Sequence, residues 1–175
     1  MKYEKLLEEI GQLSTHIVRV CTERGLHMAT AESCTGGMIS AAITAVSGSS
    51  AVIELGVCSY SNRIKQEILG VSADTLDRYS EYSTQCAEEM ACGAVKLSGA
   101  LLGVSTTGVA GPTGGSEEHP VGEVCIAVCF GNAVHSKRYV FTHDDPNVPL
   151  RDYIRACAAR KALMLLDLMI MANDR

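Results

Sequence analysis

The chain contains no tryptophan, which removes the best platform for stacking a run of bases. It also lacks any cluster of lysine and arginine, and its formal net charge is −5; a nucleic-acid groove needs basic side chains gathered on one face, so nucleic acid is not an expected partner. No apolar run is long enough to cross a bilayer, and Lys2, Glu4, Lys5, Glu8 and Glu9 stand where a signal peptide would have its apolar centre. A cytoplasmic protein with no membrane partner is expected. The eight cysteines form no C-x-x-C and fall inside expected helices and strands, so they read as small buried hydrophobes rather than a disulfide framework or a zinc ribbon. His16, His27, His119, His135 and His143 show no ligand spacing, so neither a metal nor a bound cofactor is expected. Low-complexity segments and internal repeats are absent as well.

What is present is a chain of 175 residues, 47% hydrophobic, enough for one domain over residues 1–175 with a substantial core. Leu6, Leu7, Ile10, Leu13, Ile17, Val18 and Cys21 form one stripe of a helix from Tyr3 to Arg24, stopped by Gly25. A buried strand ends at Met28 to Ala31, and Met38 to Val46 has the spacing of a helix packed on a sheet. Glu54 to Tyr60 is a second extended run. Asn62 is placed to cap a short helix through Leu69, Ser72 to Tyr79 reads as another, and Ser83 or Thr84 can cap a third reaching Leu97. Ala100 to Ser105 is a continuous apolar run, as in a strand buried on both faces. Glu123 to Phe130 and Ala133 to Thr142 are joined at Gly131-Asn132 as a hairpin. A last helix runs from about Val148 to Met171, burying Leu150, Ile154, Cys157, Met164, Leu165 and Leu168. This alternation predicts a three-layer α/β/α sandwich with a mixed, mostly parallel sheet that includes one antiparallel hairpin.

Two stretches stand apart from this scaffold. Thr30 to Gly37, Thr-Ala-Glu-Ser-Cys-Thr-Gly-Gly, turns from strand into helix, and ligands in open α/β sheets collect beyond the carboxyl ends of strands. The competing reading is that Ser33 or Thr35 is only the helix N-cap. Thr106 to Pro120 holds four glycines and two prolines, an irregular loop whose backbone can wrap an anion or a ring, or else a plain connection. It is neither a Walker A loop nor a dinucleotide fingerprint. Tyr60 and Lys65 lie within about a turn of each other and can share a site; the alternative is a lysine on a solvated helix face.

Three blocks carry a family resemblance: Thr30 to Gly37, Tyr60-Ser-Asn-x-x-Lys65 followed by Gly70-Val71, and Gly108-Val-Ala-Gly-Pro-Thr-Gly-Gly115 with Pro120-Val-Gly122. In order, and over nearly the whole chain, they resemble the C-terminal domain of the CinA competence-damage-inducible family. The resemblance implies nicotinamide-nucleotide amidase activity, hydrolysing nicotinamide mononucleotide to nicotinate mononucleotide and ammonia in pyridine-nucleotide salvage. It places the serine nucleophile on Ser33 and the family's tyrosine and lysine on Tyr60 and Lys65. Many members carry a second, N-terminal domain, and this chain resembles the stand-alone amidases. The family commonly reads Gly-Asp-Arg near the start of the last helix, where this chain has His143-Asp144-Asp145; Arg151 matches an arginine slightly further on.

Amide hydrolysis by a serine needs a base, donors for the oxyanion and an acid for departing ammonia. With no histidine in these blocks, a lysine held neutral by burial serves as base, the logic of Ser-Lys hydrolases. Tyr60 is placed either to relay the proton or to orient the lysine. Cys34 is the rival nucleophile, and Glu32 either orients Lys65, pairs with substrate ribose or forms a salt bridge. The candidate catalytic set is Ser33, Lys65 and Tyr60; the candidate substrate-binding set is Glu32, Thr35, Gly36, Gly37, Thr107, Gly108, Gly111, Gly114, Gly115 and Arg151. The expected partner is a small-molecule nucleotide, and the sequence is compatible with a homo-oligomer. The alternative function is a non-catalytic nucleotide-binding or partner-binding module in competence or DNA-damage response.

Overall fold

The computed structural model describes residues 1–173. In chain order the elements are α1 (Tyr3–Arg24), β1 (Met28–Glu32), α2 (Met38–Thr44), a 3-10 turn (Ser49–Ala51), β2 (Ile53–Cys58), α3 (Asn62–Leu69), α4 (Ala73–Tyr79), α5 (Thr84–Ser98), β3 (Leu102–Gly108), β4 (Glu123–Phe130), β5 (Ala133–Val140) and α6 (Leu150–Ala172). The five strands form one sheet in the order β2-β1-β3-β4-β5. β1 pairs parallel with both β2 and β3, while β4 runs antiparallel to β3 and β5 antiparallel to β4. The sheet is therefore mixed, as expected, with β4 alone reversed.

Alternation along the central strands sorts side chains by size between two helical layers. Met28, Leu102, Val104, Val124, Ile126 and Val128 face the layer of α1, α2 and α6 and share one core with Ile17, Ile39, Ile154, Leu163 and Leu166. Their opposite neighbours are small: Ala29, Ala31, Gly103, Cys125, Ala127 and Cys129 face α5 and its companions. Small residues let that layer sit close. Ser105 Oγ reaches the Ala87 carbonyl, and a Cβ at Gly103 would lie 2.7 Å from the Ala91 carbonyl oxygen. The same closeness recurs between helices at Gly93 of α5, where a Cβ would fall 1.9 Å from the Leu69 carbonyl oxygen at the end of α3.

Several boundaries differ from the sequence expectation for local reasons. β3 continues through Thr106, Thr107 and Gly108, because β4 supplies ladder partners as far as Val124. Helix α3 is capped by Ser61, whose Oγ accepts from Ile64 N–H, rather than by Asn62. Leu7 and Leu168 are 44% and 61% exposed; the interface of α1 with α6 is narrower than the hydrophobic stripes, and α6 buries Tyr153, Ala156, Ala159 and Leu163 instead. Among the described residues, no helix is long and apolar enough to cross a membrane.

Candidate active site

The site forms at the carboxyl end of β1. Ser33 extends the β1–β3 pairing by one step, its N–H donating to the Thr106 carbonyl at 2.9 Å, and its side chain lines a cleft of about 180 Å³ with Lys65, Tyr60, Gly111 and Arg151. That volume suits part of a small molecule, not a folded partner. The next turn is tight: Gly36 and Gly37 both have positive φ, 60° and 93°, a conformation that costs any other residue more.

Glu32 does something that none of its expected roles anticipated. Its side chain is fully buried and turns under α2, where the carboxylate accepts hydrogen bonds from the Gly37, Ile39 and Ser40 N–H groups and from the Thr35 and Ser40 hydroxyls. A carboxylate at a helix N-terminus offsets the dipole and satisfies donors that the helix leaves unpaired. Neither Ser33 nor Thr35 is therefore the cap of α2, and Glu32 touches neither Lys65 nor the cleft. Thr35 is buried too, bonded to Glu32 and to Thr106 Oγ1, while its carbonyl accepts two bonds from the Arg155 guanidinium. Glu32, Thr35, Gly36 and Gly37 hold the turn in shape from behind.

Lys65 is 2% exposed, against the solvated face that a lysine on a short helix would ordinarily occupy. Its Nζ lies 3.2 Å from Ser33 Oγ and 3.0 Å from the Ser59 carbonyl oxygen. Burial pushes its pKa down from 10.5, opposed by the thiols of Cys86 and Cys34 and the carboxylate of Glu81. The neutral amine can then take the Ser33 proton across the same contact. Cys34 is the poorer nucleophile, since burial pushes its thiol up to about 12 and leaves almost no thiolate at neutral pH.

Tyr60 is 63% exposed and bonds elsewhere than to Lys65. Its phenol oxygen accepts from Arg151, whose other terminal nitrogen donates to the Gly111 carbonyl at 2.8 Å. Lys65 is thus oriented by Ser59 and Ser33, and Tyr60 with Arg151 forms a bridge across the mouth of the cleft to the glycine loop. In that loop the N–H groups of Ala110, Gly111, Thr113 and Gly114 donate to nothing among the described residues. Such unpaired donors on a wrapped backbone are the material of an anion nest. Beside Ser33, the Thr35 N–H likewise donates to nothing among the described residues, and the Cys34 N–H is bonded only to its own thiol.

Two residues of the expected binding set, Thr107 near the end of β3 and Gly115 in the loop, serve the walls. Thr107 Oγ1 donates to the Glu81 carbonyl at 2.6 Å, and Gly115 packs against Val121. Gly108 lies in the lining, where a Cβ would meet the Glu123 carbonyl oxygen at 2.2 Å. His143, Asp144 and Asp145 sit away from the cleft: Asp144 pairs with the N-terminal amine, Asp145 accepts from Tyr3 N–H, and His143 Nε2 is bonded to the Val148 carbonyl. Their acidic charge anchors the start of α1. The cleft also takes in Asn62, Glu81 and Tyr82, which sequence reasoning missed; the only hint was a polar Ser80 to Ser83 link between two helices with no glycine in it. Among the described residues, no group of three His, Cys, Asp or Glu could hold a metal ion.

The family model described as the CinA C-terminal domain matches residues 10–170. A CinA-like protein of Thermotoga sp. (strain RQ2) is 42% identical over 181 residues, covering 98% of this chain and 43% of that protein; the chain thus spans less than half the length of this curated relative. Among solved structures, the competence/damage inducible protein CihA from Agrobacterium tumefaciens is 40% identical with a TM-score of 0.86, covering 92% of this chain and 95% of that one. The competence damage-inducible protein A from Klebsiella pneumoniae subsp. pneumoniae MGH 78578 is 34% identical with a TM-score of 0.87, covering 95% and 99%.

Proposed function

The chain belongs to the CinA C-terminal domain family, and we propose that it is a nicotinamide-nucleotide amidase, releasing ammonia from nicotinamide mononucleotide to leave nicotinate mononucleotide. The observation that carries this reading is the buried Lys65 amine 3.2 Å from the Ser33 hydroxyl. A passive binding module has little use for a lysine kept out of water against a serine.

Ser33 Oγ attacks the carboxamide carbon while Lys65 takes its proton. Negative charge developing on the carbonyl oxygen is met by the backbone N–H groups next in the chain, those of Cys34 and Thr35. The tetrahedral intermediate collapses by breaking the C–N bond, and Lys65 returns the proton to the departing ammonia. Water then enters, Lys65 takes its proton, and the ester to Ser33 is cleaved to the acid and the free serine. The distant phosphate fits the nest of Ala110, Gly111, Thr113 and Gly114, so that binding energy remote from the reacting bond holds the amide against Ser33.

The test is ammonia release from nicotinamide mononucleotide by the purified protein, repeated with Ser33→Ala. The expected result is turnover in the first and its abolition in a folded second. Binding of the nucleotide without turnover in the unaltered protein would replace this reading with that of a nucleotide-binding module.

A further inference from the structure

Glu81 is the unassigned charge of the cleft. It is half-buried, lines the cleft beside Lys65, is hydrogen-bonded to the Tyr82 phenol, and makes no ion pair with any Lys, Arg or His among the described residues. The cations nearby are otherwise engaged: Arg151 is committed to Gly111 and Tyr60, and Lys65 is driven toward its neutral form.

The segment that carries Glu81 is fixed by bonds from three sides. Ser80 just before it has φ 66° and ψ 167°, a region that residues other than glycine rarely enter. Its hydroxyl accepts from Tyr82 N–H and lies 3.1 Å from His119 Nε2, while His119 Nδ1 is 3.1 Å from the buried Glu123 carboxylate. Thr107 Oγ1 donates to the Glu81 carbonyl, the Cys125 thiol donates to the Tyr82 carbonyl, and the Tyr82 ring sits 5.2 Å from the His119 ring. A strained backbone held by this many side chains presents Glu81 and Tyr82 at set positions.

We infer that Glu81 is a specificity-determining residue, its carboxylate pairing with a permanently cationic ring of the N-alkylpyridinium class while Tyr60 and Tyr82 offer their aromatic faces to the same charge. The inference rests on the amidase reading for the identity of the ring. A pyridinium nitrogen bears its charge at every pH, so a carboxylate that is bonded to the neutral Tyr82 phenol and forms no ion pair among the described residues is chemically matched to it. A neutral ring would leave that carboxylate partly desolvated, bonded to the Tyr82 hydroxyl and ion-paired to nothing.

This pairing has a second effect on the base. The groups that raise the affinity of Lys65 for its proton are the Cys86 thiol on α5, Glu81, and the Cys34 thiol in the turn after β1. Burial pushes those thiols to about 11 and about 12, so at neutral pH neither thiol bears charge. A cationic ring beside Glu81 cancels its pull, and the arriving substrate leaves Lys65 a readier acceptor for the Ser33 proton.

The experiment compares nicotinamide mononucleotide with its reduced form, whose dihydropyridine ring is uncharged, by titration calorimetry on the Ser33→Ala protein with and without Glu81→Gln. The expected result is a preference of about tenfold for the cationic ring, falling to near parity with Glu81→Gln. In the turnover-competent protein, Glu81→Gln should also move the acidic limb of kcat/KM to lower pH, a change that a merely structural role would not produce. An equal preference with and without Glu81→Gln, or no preference at the outset, overturns the inference while leaving ammonia release, and so the amidase reading, intact. Loss of the preference in a protein that releases no ammonia overturns the amidase reading and keeps the cation site. Failure of both nucleotides to bind overturns both.

Discussion

Replacing Lys65 by methionine separates chemistry from architecture, because methionine fills nearly the same buried volume without the amine. The variant loses the hydrogen bonds to Ser59 and Ser33, each with a net worth of about 0.5–1.5 kcal/mol. Against this it removes a buried amine whose charged form carries a desolvation cost of several kcal/mol. The two effects oppose each other at similar size, so Lys65→Met is expected to be no less stable than the unaltered protein at pH 7 by urea titration. The pH dependence gives the sign. Burial lowers the folded pKa of Lys65 below its ordinary 10.5, so between those two values the unfolded chain holds a proton that the folded chain lacks, and stability rises with pH across that window. Below the folded value the full penalty is present. Lys65→Met lacks this rise, and its advantage should fade as pH climbs toward 10.5. Ammonia release should fall by about 10²–10⁴-fold, the usual contribution of a positioned base. Turnover within tenfold of the original, or destabilisation beyond about 2 kcal/mol, would refute the assignment of Lys65 as a buried base.

Cys34→Ala should keep ammonia release within about fivefold, because a thiol raised to about 12 is not the nucleophile; loss comparable to Ser33→Ala would move the nucleophile to Cys34. Nicotinamide riboside should show a kcat/KM lower by about a hundredfold or more than the mononucleotide, since the loop donors of Ala110 to Gly114 need an anion to bind. Equal values would make that loop a plain connection. Arg151→Ala should raise KM about tenfold by releasing Gly111 and Tyr60, with a smaller change in kcat; steady-state kinetics in which only kcat falls would place Arg151 in the chemistry instead.

The scaffold was legible in the sequence because local pattern and tertiary demand agree. Gly25, Gly70 and Gly99 end their helices in the left-handed conformation, and strands β1 and β3, buried but for Gly108, read as apolar or small-residue runs. Ser33 and the glycine loop stand at turns that break the pattern, whereas Lys65 lies inside α3 and was marked out by the family resemblance, not by its local pattern. Glu32 was not legible, since its role depends on a reversal of the chain that brings residues 37–40 over its carboxylate, and nothing in its neighbours announces that fold-back. Glu81 and Tyr82 sit in a polar link with no period, and only the packing of residues 107, 119 and 125 around them selects which side chain enters the cleft. Leu7 and Leu168 show the reverse error: a helix keeps its hydrophobic stripe beyond the length of the partner that covers it.

Gly93 carries no chemistry, yet the end of α3 rests on it, and Lys65 stands one helical turn before that end. A methyl group placed 1.9 Å from the Leu69 carbonyl oxygen must push the two helices apart, and the first casualty is the 3.2 Å contact between Lys65 and Ser33, not the fold. The position behaves as a ruler for the reach of the amine. In a saturation screen scored on ammonia release it should be as intolerant as the nucleophile, while a screen scored on abundance passes over it. Disagreement between two such maps would then mark residues that set distance, a class of functional position that no inspection of side-chain chemistry can find.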